Sequence, residues 1–257
     1  MAKVLIIQFK KNKEAVEFEK RCFSEKLYLY SELRFINALS DEVDWGMPEL
    51  IMADLDCVIL SGSNELDFDG GRPEDDLARI TSKQLVSKLS PFLRYLFDKD
   101  VPTLGICYGH QLIGAFAGVT IRYSEEQKKT ASHELKFLLN HEEIPLFSGL
   151  PATIIAHYGH KDVLVEVPKD AQLLFDGGER CLVPALKYKE NIFTFQFHPE
   201  LTHTDIMKRA VDSPGYLPEG SILTDIFKPD DCSNLIVRNF CKFVEEVKSK
   251  KQEIAGA

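Results

Sequence analysis

The sequence predicts an α/β fold: a doubly wound, mostly parallel sheet flanked by helices, with a small antiparallel excursion. Three observations lead to this class. Short apolar runs of strand length alternate with longer amphipathic runs of helical period. One apolar run, at residues 101–106, passes through a glycine-flanked cysteine into a helical pattern at 108–117. The chain has 257 residues and is 44% hydrophobic, so we expect one domain spanning 1–257.

The first hundred residues predict a β-α-β-α-β series, which is typical of a parallel sheet. Strands are expected at 2–9, 33–38 and 56–60, a helix at 14–28 and a helical turn at 47–52. A long helix is expected to open at Pro73 and to run to residue 98, interrupted near Pro91 because proline lacks a backbone N–H. Leu77 is expected to face the sheet.

The second half predicts shorter strands around the main sheet. Strands at 120–123, 134–139 and 153–157 form the antiparallel excursion, and His160 and Asp162 are expected in the loop beyond it. Further strands are expected at 172–175, 184–188 and 191–197. An insert at about 203–232 then precedes a closing helix at 234–248, and this insert could be a lid, a docking surface or decoration.

Composition excludes several classes of function. A net charge of −9 disfavours a nucleic-acid partner, and the basic run KKNK at 10–13 is interpreted as a solvated helix end. The apolar stretch at the N-terminus is too short for a signal peptide, and no later run approaches membrane-spanning length, so we expect a cytoplasmic protein that binds no membrane. Six cysteines without a C-x-x-C pair argue against disulfides and zinc, and no metal or cofactor is expected.

A candidate nucleophile lies in the turn after residue 106, where Gly105, Cys107 and Gly109 form the pattern G-x-C-x-G. Such a strand–turn–helix arrangement is a nucleophile elbow, which needs small neighbours so that its central side chain can project towards a substrate. Backbone N–H groups at the start of the following helix favour a thiolate. A buried structural cysteine in an ordinary turn would give the same short pattern.

A second motif supports the first. Residues 193–200 read FTFQFHPE and place His198 and Glu200 directly after an apolar strand. A general base and the carboxylate that orients it would converge with Cys107 there, at the strand ends of a doubly wound sheet. The two motifs together predict a cysteine nucleophile with a His/Glu pair.

With both motifs in place, the chain resembles the class I glutamine amidotransferase (GATase1) domains. GICYGHQ at 105–111 is similar to the nucleophile motif of that family, and QFHPELTHT at 196–204 is similar to its His/Glu motif, especially as found in the glutaminase domains of GMP synthases. ILSGS at 59–63 and GHKDVLVEVPKDA at 159–171 lie where the family has its oxyanion and substrate loops. The four segments occur in the order of the family.

The resemblance implies a flavodoxin-like amidotransferase fold and a triad of Cys107, His198 and Glu200 acting on the side-chain amide of glutamine through a γ-glutamyl thioester. It implies oxyanion donors in the backbone of Gly62 and Tyr108. Further positions implied to lie at the oxyanion loop or the substrate are Ser63, Gln111, His160, Lys161 and Asp162. Asn64 and Lys161 stand where the family usually has proline and glycine. His110 and His157 are expected to pack locally.

Three functions compete at this stage. The first is a glutaminase that supplies ammonia to a partner synthetase, since the chain contains no P-loop or other phosphate-binding motif for acceptor chemistry. The second is a stand-alone hydrolase of γ-glutamyl bonds. The missing phosphate-binding motif and the SGS loop without a following proline both favour it. The third is a non-catalytic binding module, which the intact triad residues disfavour. In the first two readings the ligand is a small molecule, glutamine or a γ-glutamyl compound.

Overall fold

A computed structural model describes residues 1–212, 217, 220, 222–230 and 232–255. The strands are β1 Ala2–Gln8, β2 Ser31–Asn37, β3 Cys57–Leu60, β4 Thr103–Ile106, β5 Ile121–Tyr123, β6 Lys129–Phe137, β7 Thr153–His160, β8 Asp162–Leu164, β9 Gln172–Leu173, β10 Phe175–Asp176, β11 Ala185–Lys187 and β12 Ile192–Phe195. The helices are α1 Lys13–Leu27, α2 Pro48–Ile51, α3 Leu77–Asp98, α4 Tyr108–Phe116, α5 His203–Asp212, α6 Leu223–Ile226 and α7 Leu235–Ala255.

The central sheet has seven strands in the order β2-β1-β3-β4-β12-β11-β9. The first five strands of this order pair in parallel, whereas β11 pairs antiparallel with both β12 and β9. The carboxyl ends of β3, β4 and β12 therefore meet at one edge, where ligands bind in open α/β sheets. This arrangement confirms the predicted fold class.

Helices cover both faces of the sheet because alternate residues of its strands point to opposite sides. On β1, Val4 and Ile6 belong to one buried cluster together with residues of α1 and α7. Leu5 and Ile7 belong to a second buried cluster with residues of α3 and α4. The apolar runs that read as strands in the sequence are therefore buried on two sides, as a parallel sheet requires.

Three expectations about α3 were wrong. The helix begins at Leu77 and not at Pro73, because the Asp76 side chain caps it by accepting a hydrogen bond of 2.8 Å from the N–H of Ala78. Pro91 lies inside one continuous helix, whose buried face holds the turn together despite the missing N–H. Leu77 faces solvent with 73% of its surface exposed, since it lies on the same helix face as the exposed Gln84 and Lys88.

The excursion also differs from the expectation. β6 and β7 pair over a long antiparallel register, from Lys129 with His160 to Lys136 with Thr153, and so β7 extends to His160. Asp162 begins β8, which pairs with β5, so neither His160 nor Asp162 lies in a loop. The predicted strand at 172–175 is two strands, because the chain crosses from the main sheet at β9 to β6 at β10.

The insert expected at 203–232 contains α5 and α6. Residues 213–216, 218, 219, 221 and 231 of that insert lie outside the described residues. The closing helix α7 begins where it was expected, within one residue, and extends further, to Ala255. None of the helices in the described ranges is long and apolar enough to cross a membrane.

Candidate functional site

Cys107 occupies the sharp turn between β4 and α4. Its backbone has φ 50° and ψ −99°, a conformation that costs energy for a residue with a side chain. Two hydrogen bonds hold the turn: the Cys107 N–H donates to the carbonyl of Phe195 at 2.7 Å, and its own carbonyl accepts from the N–H of Gln111 at 3.1 Å. The strained conformation is thus fixed between strand β12 and the first turn of α4.

Both glycines of the motif are required by close approach. A Cβ atom on Gly105 would lie 2.9 Å from the Thr194 side chain and 3.0 Å from the carbonyl oxygen of Gly109. A Cβ atom on Gly109 would overlap the backbone of Leu60. Neither position therefore accepts a side chain without moving the turn, which is the physical reason for the G-x-C-x-G pattern.

His198 and Glu200 follow β12, the parallel neighbour of β4, and so they reach the same edge as Cys107. The Nδ1 atom of His198 lies 2.7 Å from Oε1 of Glu200, and the Cys107 side chain lies close enough to His198 for each to shift the pKa of the other. All three side chains are buried. The structure thus brings the predicted Cys, His and Glu side chains together at one edge of the sheet, next to Gly62.

The three groups shift one another's pKa values. Burial by itself raises the pKa of the Cys107 thiol, but the nearby His198 and the guanidinium of Arg209 outweigh burial and bring it below its ordinary value of 9.0. Burial and Arg209 lower the pKa of His198, yet Glu200 and Cys107 raise it to a net value above 6.5. The pKa of Glu200, which burial alone would raise, is lowered by His198. These directions favour a thiolate beside an imidazolium.

Gly62 lies at the end of β3 against this group. A Cβ atom added to Gly62 would lie 2.9 Å from Cε1 of His198 and 3.5 Å from Cβ of Cys107. The Ser63 hydroxyl donates to the carbonyl of Phe9 at 2.8 Å and so helps to fix the loop. Tyr108 is the first residue of α4, so its N–H has no partner within the helix. Gly62 and Tyr108 are therefore both placed beside the cysteine, while their oxyanion role stays a prediction.

The predicted substrate contacts Gln111 and Asp162 are engaged within the protein. The Gln111 side-chain amide donates to the carbonyl of Asp162 at 2.9 Å. The Asp162 carboxylate accepts hydrogen bonds from the N–H groups of Phe68, Asp69 and Gly70 at 2.6–2.8 Å. In this structure the carboxylate holds the 68–70 loop, and its direct contact with a substrate stays a prediction.

His160 and Lys161 lie at the turn between β7 and β8. His160 is buried, and burial lowers the pKa of its imidazole to about 3, so this side chain is neutral at ordinary pH. Lys161 is half-buried, and its carbonyl accepts from the N–H of Ser124 at 3.3 Å. Their contact with a substrate stays a prediction as well.

The two other histidines near the site pack locally, as expected. His110 Nδ1 lies 2.7 Å from the hydroxyl of Thr194, and His157 Nδ1 lies 2.7 Å from the hydroxyl of Ser132.

Sequence reasoning missed Arg209, which α5 places on the imidazole. Its Nη1 atom lies 3.2 Å from Nδ1 and 3.1 Å from Nε2 of His198. The two ring nitrogens point in diverging directions and Nδ1 already faces Glu200, so these nearly equal distances put the guanidinium against the ring. Arg209 lies in the insert, outside the four family-like segments, and no local pattern distinguishes it from a surface arginine.

Arg209 also lines two cavities next to the triad. The smaller, of about 20 Å³, is bordered by Gly159, whose carbonyl lies 4.0 Å from the Cys107 sulfur; it has room for about one water. The larger, of about 460 Å³, lies between α1 and α5 and reaches Glu200. Of these two cavities, the larger one has room for a molecule of the size of glutamine.

Sequence reasoning also misjudged Lys10. The KKNK run was expected to be solvated, but Lys10 is only 5% exposed because its Nζ atom binds the buried carboxylate of Glu19 at 2.7 Å. Lys11 and Lys13 do face solvent. Glu19 lies nine residues further along the chain, in α1, and a run of basic residues gives no indication of such a buried partner.

A parallel-sheet edge carrying a strained cysteine beside a His/Glu pair defines a class of protein, the α/β domains with a nucleophile elbow. Comparison with known proteins gives the family. The family model described as glutamine amidotransferase class-I matches residues 78–212, which is more than half of the chain and contains Cys107, His198 and Glu200. The chain belongs to the class-I glutamine amidotransferase family, which confirms the resemblance found in the sequence.

Curated relatives are glutamine-hydrolyzing GMP synthases or subunits of such enzymes. One such subunit, from Thermoplasma acidophilum, is 30% identical over 157 residues, covering 61% of this chain and 72% of that protein. Another, from Methanopyrus kandleri, is 38% identical over 123 residues, covering 46% and 64%. The match to the GMP synthase of Caldicellulosiruptor saccharolyticus, 37% identical, covers 45% of this chain and only 22% of that protein. The chain thus spans less than two thirds of the length of the last two relatives.

Solved structures share the fold over nearly the whole chain. A glutamine amidotransferase of Thermotoga maritima superimposes with a TM-score of 0.67 at 16% identity, covering 95% of this chain and 97% of that one. A glutamine amidotransferase of Methylobacillus flagellatus gives 0.66 at 17% identity, covering 95% and 93%. At these identities the likeness concerns the fold alone.

Proposed function

We propose that this chain hydrolyses the side-chain amide of glutamine to glutamate and ammonia. The observation that carries the proposal is the grouping of Cys107, at a strained elbow, with His198 and Glu200 beside Gly62 at the carboxyl ends of the parallel strands. Membership of the class-I family supports glutamine as the substrate class. We also propose that residues 1–257 act as one domain, with the 203–232 insert as an addition to it.

In this proposal the Cys107 thiolate attacks the side-chain amide carbon, and the His198 imidazolium gives its proton to the departing nitrogen, so that ammonia leaves and a γ-glutamyl thioester forms. A water molecule then gives a proton to His198 and attacks the thioester, which releases glutamate and restores the thiolate. Glu200 holds the imidazole in one orientation and stabilises its charged form. The lowered pKa of Cys107 and the raised pKa of His198 support this charge distribution.

The tetrahedral intermediates need donors for their oxyanion. Backbone N–H groups of Tyr108, at the start of α4, and of the Gly62 loop are the donors we propose. Both are fixed to rigid elements, α4 and β3, so they require little reorganisation when charge develops. The same helix start favours the thiolate in the resting state.

We extend the proposal to a protein partner. Two of the relatives are named as single subunits of a glutamine-hydrolyzing GMP synthase, which supports the idea that the ammonia is used by a synthetase on another polypeptide. A solved structure of PurLQS from Thermotoga maritima shares this fold with a TM-score of 0.58 at 14% identity.

The test is to incubate the purified protein with glutamine and with several γ-glutamyl dipeptides, and to measure glutamate and ammonia separately. Equal release of glutamate and ammonia from glutamine is expected. Cys107→Ala should lower this release at least about 10³-fold, as loss of a catalytic nucleophile does. Release of neither product from any substrate would contradict the proposal, and activity that survives Cys107→Ala would contradict the site.

Hydrolysis of γ-glutamyl peptides is the second candidate, and Lys161 is the residue that favours it. Lys161 is a half-buried residue between β7 and β8, and we propose that its ammonium pairs with the more distant carboxylate of an extended substrate. Lys161→Gly should then shift the ratio of kcat/KM values towards glutamine and away from the dipeptides. An unchanged ratio would show that Lys161 does not select between glutamine and the dipeptides.

A further inference from the structure

Two buried charges from the N-terminal β1–α1 unit lie under the Gly62 loop. Lys10 follows β1 and Glu19 lies on α1; they are 5% and 4% exposed, and Lys10 Nζ lies 2.7 Å from Glu19 Oε1. Burying both charges costs desolvation, and such a pair often contributes no more stability than apolar side chains of the same volume. The pair therefore calls for a role besides stability.

Both members of the pair bind the loop. Lys10 Nζ donates to the carbonyl oxygen of Gly62 at 2.6 Å. The second carboxylate oxygen of Glu19 accepts from the Ser61 hydroxyl and from the Gln8 side-chain amide, each at 2.9 Å. The ammonium and the carboxylate thus hold two successive loop residues, Ser61 and Gly62, against the end of β1.

These contacts fix the direction of backbone N–H groups. A peptide group is planar and trans, so an anchored Gly62 carbonyl sets the opposite direction for the N–H of Ser63. The carbonyl of Ser61 is likewise held, by the N–H of Gly109 at 3.1 Å, and this sets the N–H of Gly62. Glycine has no side chain to restrict its own rotation, so without these anchors the Gly62 loop would be free to reorient.

We propose that Lys10 and Glu19 are positioning residues for the oxyanion loop. Lys10 holds the Gly62–Ser63 peptide group in the orientation that stabilises the tetrahedral intermediate on Cys107, and Glu19 holds the Lys10 ammonium and the Ser61 side chain in place. This inference rests on the proposed glutamine hydrolysis, because only an oxyanion makes the direction of these N–H groups matter.

The experiment compares the wild type with the double variant Lys10→Met/Glu19→Gln. The double variant removes both charges of this pair, and its glutamine still has polar atoms for Ser61 and Gln8, but it lacks the donor to the Gly62 carbonyl. We expect kcat for glutamate release to fall about 10- to 100-fold, part of the 10²- to 10³-fold that a whole oxyanion donor supplies. KM should change less than about threefold, because the loop acts on the intermediate.

Two measurements separate positioning from general damage. Alkylation of Cys107 by iodoacetamide should proceed within about twofold of the wild-type rate, because the thiolate depends on His198. Asn239→Ala is the matched control: Asn239 is a buried side chain on α7 that holds the carbonyls of Leu146 and Ser148 at 3.1 and 2.8 Å, remote from the oxyanion loop. This control should lose stability but keep its kcat.

An unchanged kcat in the double variant would overturn the inference and leave the proposed function standing, provided that the wild type hydrolyses glutamine. A fall in kcat matched by Asn239→Ala, or accompanied by an equal fall in Cys107 alkylation, would also overturn it. Absence of hydrolysis by the wild type would overturn both. If the double variant does not fold, Lys10→Gln/Glu19→Gln is measured in the same way; its side chain at position 10 is shorter and has less reach to the Gly62 carbonyl, and no charge of the pair is left unpaired.

Discussion

Replacing Gly62 with alanine should lower kcat/KM for glutamate release while the fold survives. The added methyl carbon would lie 2.9 Å from Cε1 of His198, whereas carbon atoms in contact prefer about 3.5–4.0 Å. The imidazole or the loop must therefore shift by at least about 0.6 Å. The imidazole has little freedom to do so, because Glu200 and Arg209 hold it at 2.7–3.2 Å.

The size of the effect follows from that displacement. A misplacement of about 1 Å at a reacting group can cost about 10²-fold in rate, so a shift of this order should cost about 10- to 100-fold in kcat/KM. This corresponds to about 1.4–2.7 kcal/mol of transition-state stabilisation. The assay is glutamate release from glutamine over a range of concentrations, with the melting temperature measured alongside.

Gly46→Ala is the matched control for Gly62→Ala. Its added carbon would meet only the exposed Asp44 carboxylate, at 3.1 Å, and that side chain can swing away. This control should keep wild-type kcat/KM. If Gly62→Ala also stayed within twofold of the wild type, the imidazole would not be held where the argument needs it, and the reasoning would be refuted.

Two further predictions concern pH and stability. The rate of Cys107 alkylation should decrease as the pH falls through a midpoint below 9.0, because only the thiolate reacts. Burial raises the pKa of Cys232 to about 11, so alkylation of Cys232 should need a more alkaline solution. The measurement is a series of alkylations at different pH values analysed by peptide mapping, and equal midpoints for the two cysteines would contradict the prediction. Asp205→Asn should lower the free energy of unfolding, measured in urea, by about 3–5 kcal/mol, because it leaves Lys26 buried without a carboxylate. The control Glu17→Gln removes an exposed ion pair and should lower that free energy by less than about 1 kcal/mol. Similar losses in the two variants would contradict the prediction.

The sequence was sufficient for the architecture and the triad candidates because both depend on local patterns. Apolar runs of strand length locate most of the main-sheet strands to within one or two residues, since a strand buried on both faces has to be apolar throughout. G-x-C-x-G and the His-x-Glu pair after β12 are short segments, and in the first of them neighbouring atoms restrict the residue types. Gly105 and Gly109, for instance, have no room for a side chain.

Element boundaries in the excursion and in α3 were less predictable. The start of α3 depends on one hydrogen bond of Asp76, and the split between β9 and β10 depends on which sheet each segment joins. Asp162 lies in a segment that resembles the family, but its carboxylate binds residues 68–70, which lie some ninety residues earlier in the chain. A single sequence contains no signal for such a pairing.

The sequence by itself determined the fold class, the order of the main-sheet elements and the three candidate triad residues, because each of these follows from periodicity or from residue types within a few positions. Only the tertiary structure placed Arg209 on His198 and buried Lys10 with Glu19 under Gly62. Whether a charged side chain faces water or a buried partner depends on contacts between segments far apart in the chain, and charge patterns record no such distances.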